Sequence, residues 1–344
     1  MLGMSLGAES TAGNCRKRKE TIIIMTTKGS VLLIALALAW STIGLASAAD
    51  IVNLHVPPGG SSPNVLPFMI GVDEGFYRDE GLEVRRVGAA MTAGIQGLIA
   101  QSFDFSMILG TTTSAIMRGA PLKIIMIFDP RPLWWLYGSK KIKSLQDLKG
   151  GKLVGVSGFG TGHDVMSRAA LSNHGIDPQR DVAFRVIANG APQIAALLTG
   201  AIDATVVTVG ERIVARKEGL PELLFLGSEL EALNGGVVVA EKTLSQKPDY
   251  VRRFVRGTLK SLQWLRSNKE GSVDKIAGFY KVSKDDASDI HQRVLEVFTS
   301  DGTVPLDLQK RLLTFHKSVI KAEQETPPEK VFDFSIVQSL SKAR

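Results

Sequence analysis

Three short segments rich in glycine and hydroxyl-bearing residues each follow an apolar run and precede a helix-like stretch, at residues 59–64, 110–114 and 157–163. The backbone N–H groups of a first helical turn have no partner within the helix, and together with nearby hydroxyls they attract the polar or anionic end of a ligand. In a parallel α/β sheet such segments lie at the carboxyl ends of the strands, where ligands bind. The candidate ligand contacts in these segments are Ser61, Ser62, Asn64, Thr111, Thr112, Thr113, Gly160, Thr161, Gly162 and His163.

Each of these contacts has a purely structural alternative. The serine and threonine hydroxyls are the side chains that most often cap a helix start, and His163 can cap or face solvent instead of donating to a ligand. Two further strand ends carry Asn189 and Thr208 as candidates. Glu211 either meets an amine on a zwitterionic ligand or, the favoured reading, complements the helix dipole as an acid of the first turn.

A segment of different character lies before the middle of the chain, at residues 129–135. Arg131 is a candidate because its guanidinium can hold a carboxylate or sulfonate through two parallel hydrogen bonds. Trp134 is a candidate wall for an apolar or aromatic ligand. Adjacent residues of a strand face opposite sides, so at most one of Trp134 and Trp135 lines a cleft. The alternative for the whole segment is a packed strand between two lobes.

No catalytic constellation accompanies these candidates. The single cysteine is Cys15, the five histidines are scattered, and no G-x-S-x-G sequence occurs after residue 48, the expected end of the signal peptide. Residues 157–163 have neither the spacing of a dinucleotide-binding loop nor the lysine of a nucleotide-triphosphate loop. We therefore expect no enzyme activity, no metal site and no cofactor.

The N-terminus has the pattern of a secretory signal peptide. Residues 31–45 are almost entirely apolar, with Lys28 before them and Ala46, Ser47 and Ala48 after them. The run of about 15 residues is shorter than the roughly 20 that a membrane span takes. We expect a start at Met25, with an extended n-region over residues 1–24 as the alternative, and cleavage after Ala48 or one residue later. The chain is then exported as a soluble protein to a bacterial periplasm, with a retained anchor as the alternative.

The charge balance gives no reason to expect a nucleic-acid partner. Up to residue 48 there are five Lys and Arg against two Asp and Glu, so +4 of the net charge of +7 remains on the rest of the chain. A charge of this size suits solubility and weak steering of anions, and it does not call for nucleic acid.

Short runs rich in Val and Ile alternate with helical stretches between residues 51 and 240, and from Pro248 onwards the periodicity is helical. This alternation predicts βαβ units with parallel sheets. The segment from Leu98 to Ser106 resembles the segment from Leu197 to Thr205 at a constant offset of 99 residues, which indicates two similar lobes. We expect lobe I at residues 50–137 plus 237–344 and lobe II at 138–236, with a hinge and a cleft between them.

Several segments, in this order and spacing, resemble the nitrate/sulfonate/taurine family of periplasmic binding proteins. They are residues 66–68 (LPF), 75–77 (GFY), 80–84 (EGLEV), 144–150 (SLQDLKG) with the strand that follows, and 244–249. The resemblance covers residues 50–320. It implies a type II periplasmic binding fold that delivers a small ligand to an ATP-driven importer. Proteins that bind or make thiamin-pyrimidine precursors share this fold, so the resemblance leaves the ligand open.

We therefore predict an α/β protein with a two-lobed type II periplasmic binding fold, each lobe a mainly parallel sheet flanked by helices, and a ligand cleft between the lobes. The expected function is capture of a small anionic organic solute, such as a sulfonate or carboxylate, by a monomer. The partners implied are an ABC permease and ATPase at the inner membrane. The alternatives are a protein that binds or synthesises thiamin-pyrimidine precursors and a sensory module that presents its ligand to a membrane receptor.

Overall fold

The computed structural model describes residues 48–57, 62–188 and 190–342. The expected signal segment up to residue 47 and the candidates Ser61 and Asn189 lie outside the described residues. The ten described strands are β1 (Asp50–Val56), β2 (Leu82–Gly88), β3 (Phe105–Ile108), β4 (Leu122–Asp129), β5 (Trp135–Gly138), β6 (Lys152–Val156), β7 (Val182–Val186), β8 (Ala204–Val207), β9 (Glu222–Phe225) and β10 (Gly235–Ala240).

The α-helices alternate with the strands as far as β10 and then follow one another to the end of the described chain. They are α1 (Leu66–Asp73), α2 (Met91–Ile99), α3 (Gly110–Met117), α4 (Gly162–Asn173), α5 (Ala191–Thr199), α6 (Val209–Lys217), α7 (Glu241–Gln246), α8 (Pro248–Ser267), α9 (Lys269–Tyr280), α10 (Lys284–Val297), α11 (Leu306–Ile320), α12 (Pro328–Val331) and α13 (Ser335–Lys342). Among the described residues, none of these helices is long and apolar enough to cross a bilayer.

The strands form two five-stranded sheets with the same internal arrangement. The first has the order β2-β1-β3-β10-β4 and the second the order β7-β6-β8-β5-β9. The first three strands of each order are parallel to one another, and the fourth runs antiparallel to both of its neighbours. Four strands of each sheet therefore run the same way. The predicted two-lobed α/β fold is confirmed.

The fourth strand of each sheet is the one that brings the chain across from the other lobe. Strand β5 pairs with β8 and β9, so the chain enters the second sheet between Asp129 and Trp135 rather than at the expected boundary of 137/138. Strand β10 pairs with β3 and β4, so the return to the first sheet is complete at Gly235 rather than at 237. Gly138 and Gly235 break the apolar pattern of the sequence, but both are strand residues whose backbones are paired.

The repeat detected in the sequence corresponds to one structural device used twice. The Asp104 carboxylate accepts a hydrogen bond from the backbone N–H of Asn53 at 2.8 Å, and the Asp203 carboxylate accepts one from the N–H of Leu153 at 2.9 Å. The backbone N–H groups of the same two aspartates donate to the carbonyls of Asn53 and Leu153. Each aspartate therefore joins the second strand in the order of its sheet to the third, β1 to β3 in one lobe and β6 to β8 in the other.

The C-terminal helices pack against both sheets. Helix α8 places Phe254 against Phe105 of the first sheet, with ring centroids 4.0 Å apart. Helix α10 contributes Asp289, which forms an ion pair with Arg212 of α6 in the second lobe. Arg212 is 5% exposed, and its guanidinium lies 4.4 Å above the ring of Trp135. The helices after β10 thus hold the two lobes together in addition to the crossing segments.

Candidate functional site

Helix α4 follows strand β6, and the loop that joins them is stabilised by hydrogen bonds within the loop and to the first turn of the helix. The Ser157 hydroxyl lies 2.9 Å from that of Thr161, and the Thr161 hydroxyl donates to the carbonyl of Gly158 at 2.7 Å. The backbone N–H of Gly160 donates to the Asp164 carboxylate at 2.8 Å. Gly160 has φ +76°, a conformation that favours glycine. The candidate Thr161 therefore uses its hydroxyl to shape the loop, which presents the start of α4 in a defined position.

The side chain of His163 lies in the first turn of α4 and is 6% exposed. In the part of the chain that the structure describes, its Nδ1 atom has no hydrogen-bond partner. Burial lowers the pKa of His163 to about 4, and the negative charge of Glu211 opposes this shift. At neutral pH the ring is therefore uncharged. A buried polar atom without a hydrogen-bond partner lowers the stability of a protein by about 1–3 kcal/mol. This nitrogen therefore favours a ligand that supplies a hydrogen-bond partner.

Trp134 lies directly against this helix start. Its ring meets that of His163 edge to face, with centroids 5.0 Å apart. A Cβ atom on Gly162 would come within 2.9 Å of the Trp134 ring, so the glycine leaves the space that the indole takes. The neighbouring Trp135 is fully buried and stacks on Phe225. Of the two adjacent tryptophans, Trp134 is therefore the one at the helix start.

Thr208 and Glu211 form a capping box at the start of α6. The Glu211 carboxylate accepts hydrogen bonds from the backbone N–H of Thr208 at 2.9 Å and from the Thr208 hydroxyl. Its other oxygen lies close to Gly190, because a Cβ there would be 3.6 Å from it. This is the first-turn role that the sequence favours for Glu211. Its charge nevertheless acts on His163, so an anionic ligand beside that ring would meet a like charge.

Two of the hydroxyl groups at the start of α3 donate to backbone carbonyls that immediately precede the helix. Thr112 donates to the carbonyl of Ile108 at 2.7 Å and Thr113 to that of Leu109 at 2.8 Å, and both side chains are buried. Thr111 is exposed. The sequence indicates three hydroxyl donors here, whereas in the structure two of them donate to the carbonyls of the two residues just before the helix.

Ser62 and Asn64 lie near the end of β1 in the first lobe. The Ser62 side chain makes no capping hydrogen bond to the short helical turn that follows it, so the expected capping alternative is not seen. The Asn64 side chain covers Gly235, where a Cβ atom would come within 2.7 Å of it.

A buried acid that the sequence reasoning did not single out lies on the same side. Asp129 is 1% exposed at the carboxyl end of β4, and it is paired across the strands with Gly235. Paired residues of antiparallel strands share a face, so Asp129 points to the side on which Asn64 covers Gly235. Its Oδ1 atom has no partner among the described residues, and burial raises the pKa of this carboxyl well above its usual value. The feature of the sequence that indicates this residue is an aspartate at the end of an apolar, strand-like run.

Arg131 lies in a different place from the other candidates. It is exposed and lines a cavity of about 400 Å³ between α4 and α11, together with Ala169, Asn173, Arg311 and Phe315. The two α4 residues in this cavity come six and ten positions after His163, away from the helix start. The structure thus brings together Gly162, His163 and Trp134, with the charge of Glu211 nearby, and it groups Asn64 with Asp129. It does not add Arg131 to either set.

The described residues contain no group of three or more His, Cys, Asp or Glu side chains that could hold a metal ion. What the helix start offers instead is a neutral imidazole with a free nitrogen, the edge of an indole and the backbone of a glycine. This combination suits a flat molecule with hydrogen-bonding groups.

Comparisons with known proteins agree on the fold. The sequence model of the family described as NMT1/THI5 like matches residues 62–272. The riboflavin-binding protein RibY of Chloroflexus aurantiacus is 26% identical over 231 residues, which are 62% of this chain and 62% of that protein. The chain thus matches less than two thirds of the length of this curated relative.

Solved structures with very different activities share the architecture. The periplasmic aliphatic sulphonate-binding protein SsuA of Escherichia coli has a TM-score of 0.67 at 15% identity, over 83% of this chain and 92% of that one. The desulfurization enzyme DSZB has a TM-score of 0.65 at 15% identity, over 86% of this chain and 100% of that one. At these identities the likeness shows the fold alone.

Proposed function

The chain belongs to the NMT1/THI5-like family, and on this premise we propose that it is the solute-binding protein of an ATP-driven importer. The observation that carries the proposal is the contact between Trp134, from the segment that crosses between the sheets, and His163 at a helix start of the second lobe. A ligand held there touches a crossing segment as well as a lobe. Its binding is therefore coupled to how the lobes are set relative to one another, which is what a permease senses.

The proposal includes an exported protein with a monomeric binding unit. The N-terminal pattern of residues 28–48 supports export, and the family resemblance supports delivery to a permease and its ATPase. In this role the chain binds its solute in the cleft between the lobes and releases it unchanged.

We propose a flat, uncharged heterocycle as the class of solute. The indole of Trp134 offers an aromatic contact worth about 0.5–1.5 kcal/mol, and the neutral His163 ring offers one hydrogen bond. The anionic solute that the sequence suggests rested on the hydroxyl-rich helix starts and on Arg131. Arg131 lines another cavity, and two hydroxyls of α3 donate to the carbonyls just before that helix. RibY is named for binding riboflavin, whose ring system is flat, uncharged at neutral pH and edged with N–H and C=O groups. Sulfonates and carboxylates are the competing class.

A thermal-shift screen of the purified protein tests both classes. Carried ligand is removed by unfolding and refolding, and the refolded protein is mixed with riboflavin, a hydroxymethylpyrimidine, taurine, an alkanesulfonate and nitrate. A ligand at 100 times its dissociation constant stabilises by about 2.7 kcal/mol, which raises the midpoint by several degrees at about 2–4 °C per kcal/mol. Stabilisation by riboflavin or the pyrimidine is expected. Stabilisation by sulfonates alone would overturn the solute class but not the binding function.

The two alternative functions are separated by what happens to the ligand. The fold also carries an enzyme, as DSZB shows, so the bound compound is recovered by unfolding the protein and its mass is measured. An unchanged mass after prolonged incubation supports a binding protein, whereas a product would support a synthase or hydrolase. A sensory module would bind the same ligand but would not stimulate any permease-linked ATPase.

A further inference from the structure

The buried carboxyl of Asp129 lies where the chain leaves the first sheet for the second. Its residue is paired with Gly235 across the strands, and its backbone carbonyl accepts a hydrogen bond from the N–H of Asn234 at 3.3 Å. The side chain is 1% exposed, and its Oδ1 atom has no hydrogen-bond partner among the described residues. A buried acceptor without a partner is unfavourable, so this oxygen favours a donor that the described residues do not supply.

A structural role does not by itself account for an acid at this position. The carboxyl accepts a hydrogen bond from the backbone N–H of Arg131, which opposes the effect of burial on its pKa. An asparagine would accept the same hydrogen bond and would carry no charge to bury. It would, however, have no second acceptor oxygen. The feature that distinguishes Asp129 from an asparagine is therefore the oxygen that has no partner.

Asp129 lies at the edge of the first sheet where its helices begin. Strand β4 runs in the same direction as β1 and β3, because β10 is antiparallel to both β3 and β4. The carboxyl ends of these strands meet at one edge, and ligands of open α/β sheets bind there. Asn64, which follows the end of β1, is half-buried and lies on the same side as the Asp129 carboxyl. The unpartnered oxygen is therefore located where a ligand of this lobe is expected.

One short segment connects Asp129 to Trp134. The residues between them are in neither helix nor strand, and Pro130 and Pro132 disfavour a helical conformation of the residue before each. Five residues of extended chain span at most about 18 Å, so both side chains are within reach of one solute. Trp134 in turn contacts His163, whose Nδ1 atom also has no partner among the described residues. The segment thus links two buried polar atoms that lack partners, one at each lobe.

We propose that Asp129 is a specificity-determining residue whose Oδ1 atom accepts a hydrogen bond from a ring or amino N–H of the solute, while Trp134 and His163 contact the rest of the ring. The inference rests on the proposed function and narrows the solute to heterocycles that carry an N–H donor. A sulfonate or carboxylate gives Oδ1 no donor. It would also meet the negative charge of Glu211, which acts on His163 from the second lobe.

The test uses a variant that keeps the volume of the side chain. Asp129→Asn has one oxygen, which the N–H of Arg131 takes, so the amide turns its own N–H groups towards the solute. Ser139→Ala is the control, because its buried Oγ atom likewise has no partner among the described residues. The backbone N–H of Ser139 donates to the carbonyl of Asp203 at 2.7 Å, just before β8 begins. The control therefore lies at the opposite edge of the second sheet from the helix starts.

The ligands are two pairs that differ in the N–H donor. Riboflavin is compared with 3-methylriboflavin, and 4-amino-5-hydroxymethyl-2-methylpyrimidine with its 4-dimethylamino analogue. Titration calorimetry gives the affinity ratio within each pair for the wild type and both variants. We expect the wild type to prefer the N–H compound of at least one pair by about tenfold or more, because methylation leaves Oδ1 unpaired. Asp129→Asn is expected to reduce this ratio to about twofold or less by weakening the N–H compound, whereas Ser139→Ala keeps it.

The outcomes separate this inference from the proposed function. A ratio that Asp129→Asn leaves unchanged means that methylation acts through steric hindrance elsewhere, and it overturns the inference. Equal binding of both members of each pair by the wild type, or an equal loss for both members in Asp129→Asn, also overturns it. In all these cases the binding function stands, as it does if taurine or an alkanesulfonate alone binds. Failure of the wild type to bind any of these compounds counts against the proposed function, and the inference falls with it.

Discussion

The indole of Trp134 meets the imidazole of His163 edge to face, with ring centroids 5.0 Å apart and ring planes at 69°. The two rings come from different parts of the fold, one from the segment that leads into β5 and the other from the first turn of α4. Gly162 allows this approach because it has no side chain to fill the space. The contact therefore joins the segment that crosses between the sheets to a helix start of the second lobe.

Replacing the two tryptophans is expected to change different properties: the ligand affinity for Trp134 and the stability for Trp135. Trp134→Ala removes an aromatic wall worth about 0.5–1.5 kcal/mol and so weakens binding of riboflavin by roughly two- to twelvefold with little change in the thermal midpoint. Trp135→Ala empties a fully buried position and destabilises the protein by about 3–5 kcal/mol. Calorimetric titration and thermal unfolding of both variants check this. A loss of affinity confined to Trp135→Ala would contradict it.

Acidification is expected to destabilise the protein through His163. Its pKa is about 4 in the folded chain against an ordinary 6.5, so the unfolded chain takes up the proton first as the pH falls. The associated stability is present above pH 6.5 and is lost between pH 6.5 and 4, by about 3 kcal/mol in total. His163→Gln should flatten this part of the pH profile of the free energy of unfolding. His316, whose pKa burial also lowers to about 4, contributes a part that the variant keeps.

Asp129 is expected to act on stability in the opposite direction. Burial raises the pKa of this carboxyl, so its contribution is present below the ordinary pKa of 3.8 and declines as the pH rises through the folded value. Asp129→Asn removes this titration and is expected to raise the thermal midpoint at pH 7.5, with the gain shrinking towards pH 4. Thermal unfolding of both proteins over this pH range measures the difference. An equal midpoint difference at all pH values would show that the carboxyl does not titrate as described.

Arg131→Ala is expected to leave the affinity for the ligand unchanged. The guanidinium lines the cavity between α4 and α11 and not the helix start at His163. Titration calorimetry with riboflavin and with taurine checks both classes of solute, and His163→Ala serves as the comparison that should weaken binding. A tenfold loss of taurine affinity in Arg131→Ala would restore the anionic solute that the sequence suggests.

Replacing either aspartate of the repeat is expected to lower the free energy of unfolding by a similar amount. Asp104→Ala and Asp203→Ala each leave a strand N–H without its acceptor and should lower the free energy of unfolding by about 1–3 kcal/mol. Asp104→Asn and Asp203→Asn keep an acceptor oxygen and should cost less. Urea unfolding of the four variants measures this. Markedly unequal losses would mean that the hydrogen bonds of Asp104 and Asp203 contribute unequally to stability.

Much of the fold was predictable because its signals are local. The alternation of Val- and Ile-rich runs with helical stretches, and the turn with an aspartate repeated after 99 residues, depend only on neighbouring residues, and they predict two α/β lobes. Strand β5 was harder to assign, because Trp135 and Tyr137 become strand residues only through their pairing with β8 and β9. For that reason the observed lobe boundaries differ from the predicted ones by a few residues.

The candidate site divides in the same way. The amino-acid sequence alone made the glycine- and hydroxyl-rich helix starts candidates, and it limited a cleft-lining role to at most one of two adjacent tryptophans. Only the tertiary structure decided which groups remain available there. Thr112 and Thr113 donate their hydroxyls to carbonyls just before their own helix, Arg131 lines another cavity, and the Oδ1 atom of the buried Asp129 has no partner among the described residues. Periodicity reports which face of an element is apolar, whereas the direction and partners of a polar side chain depend on packing between elements distant in the chain.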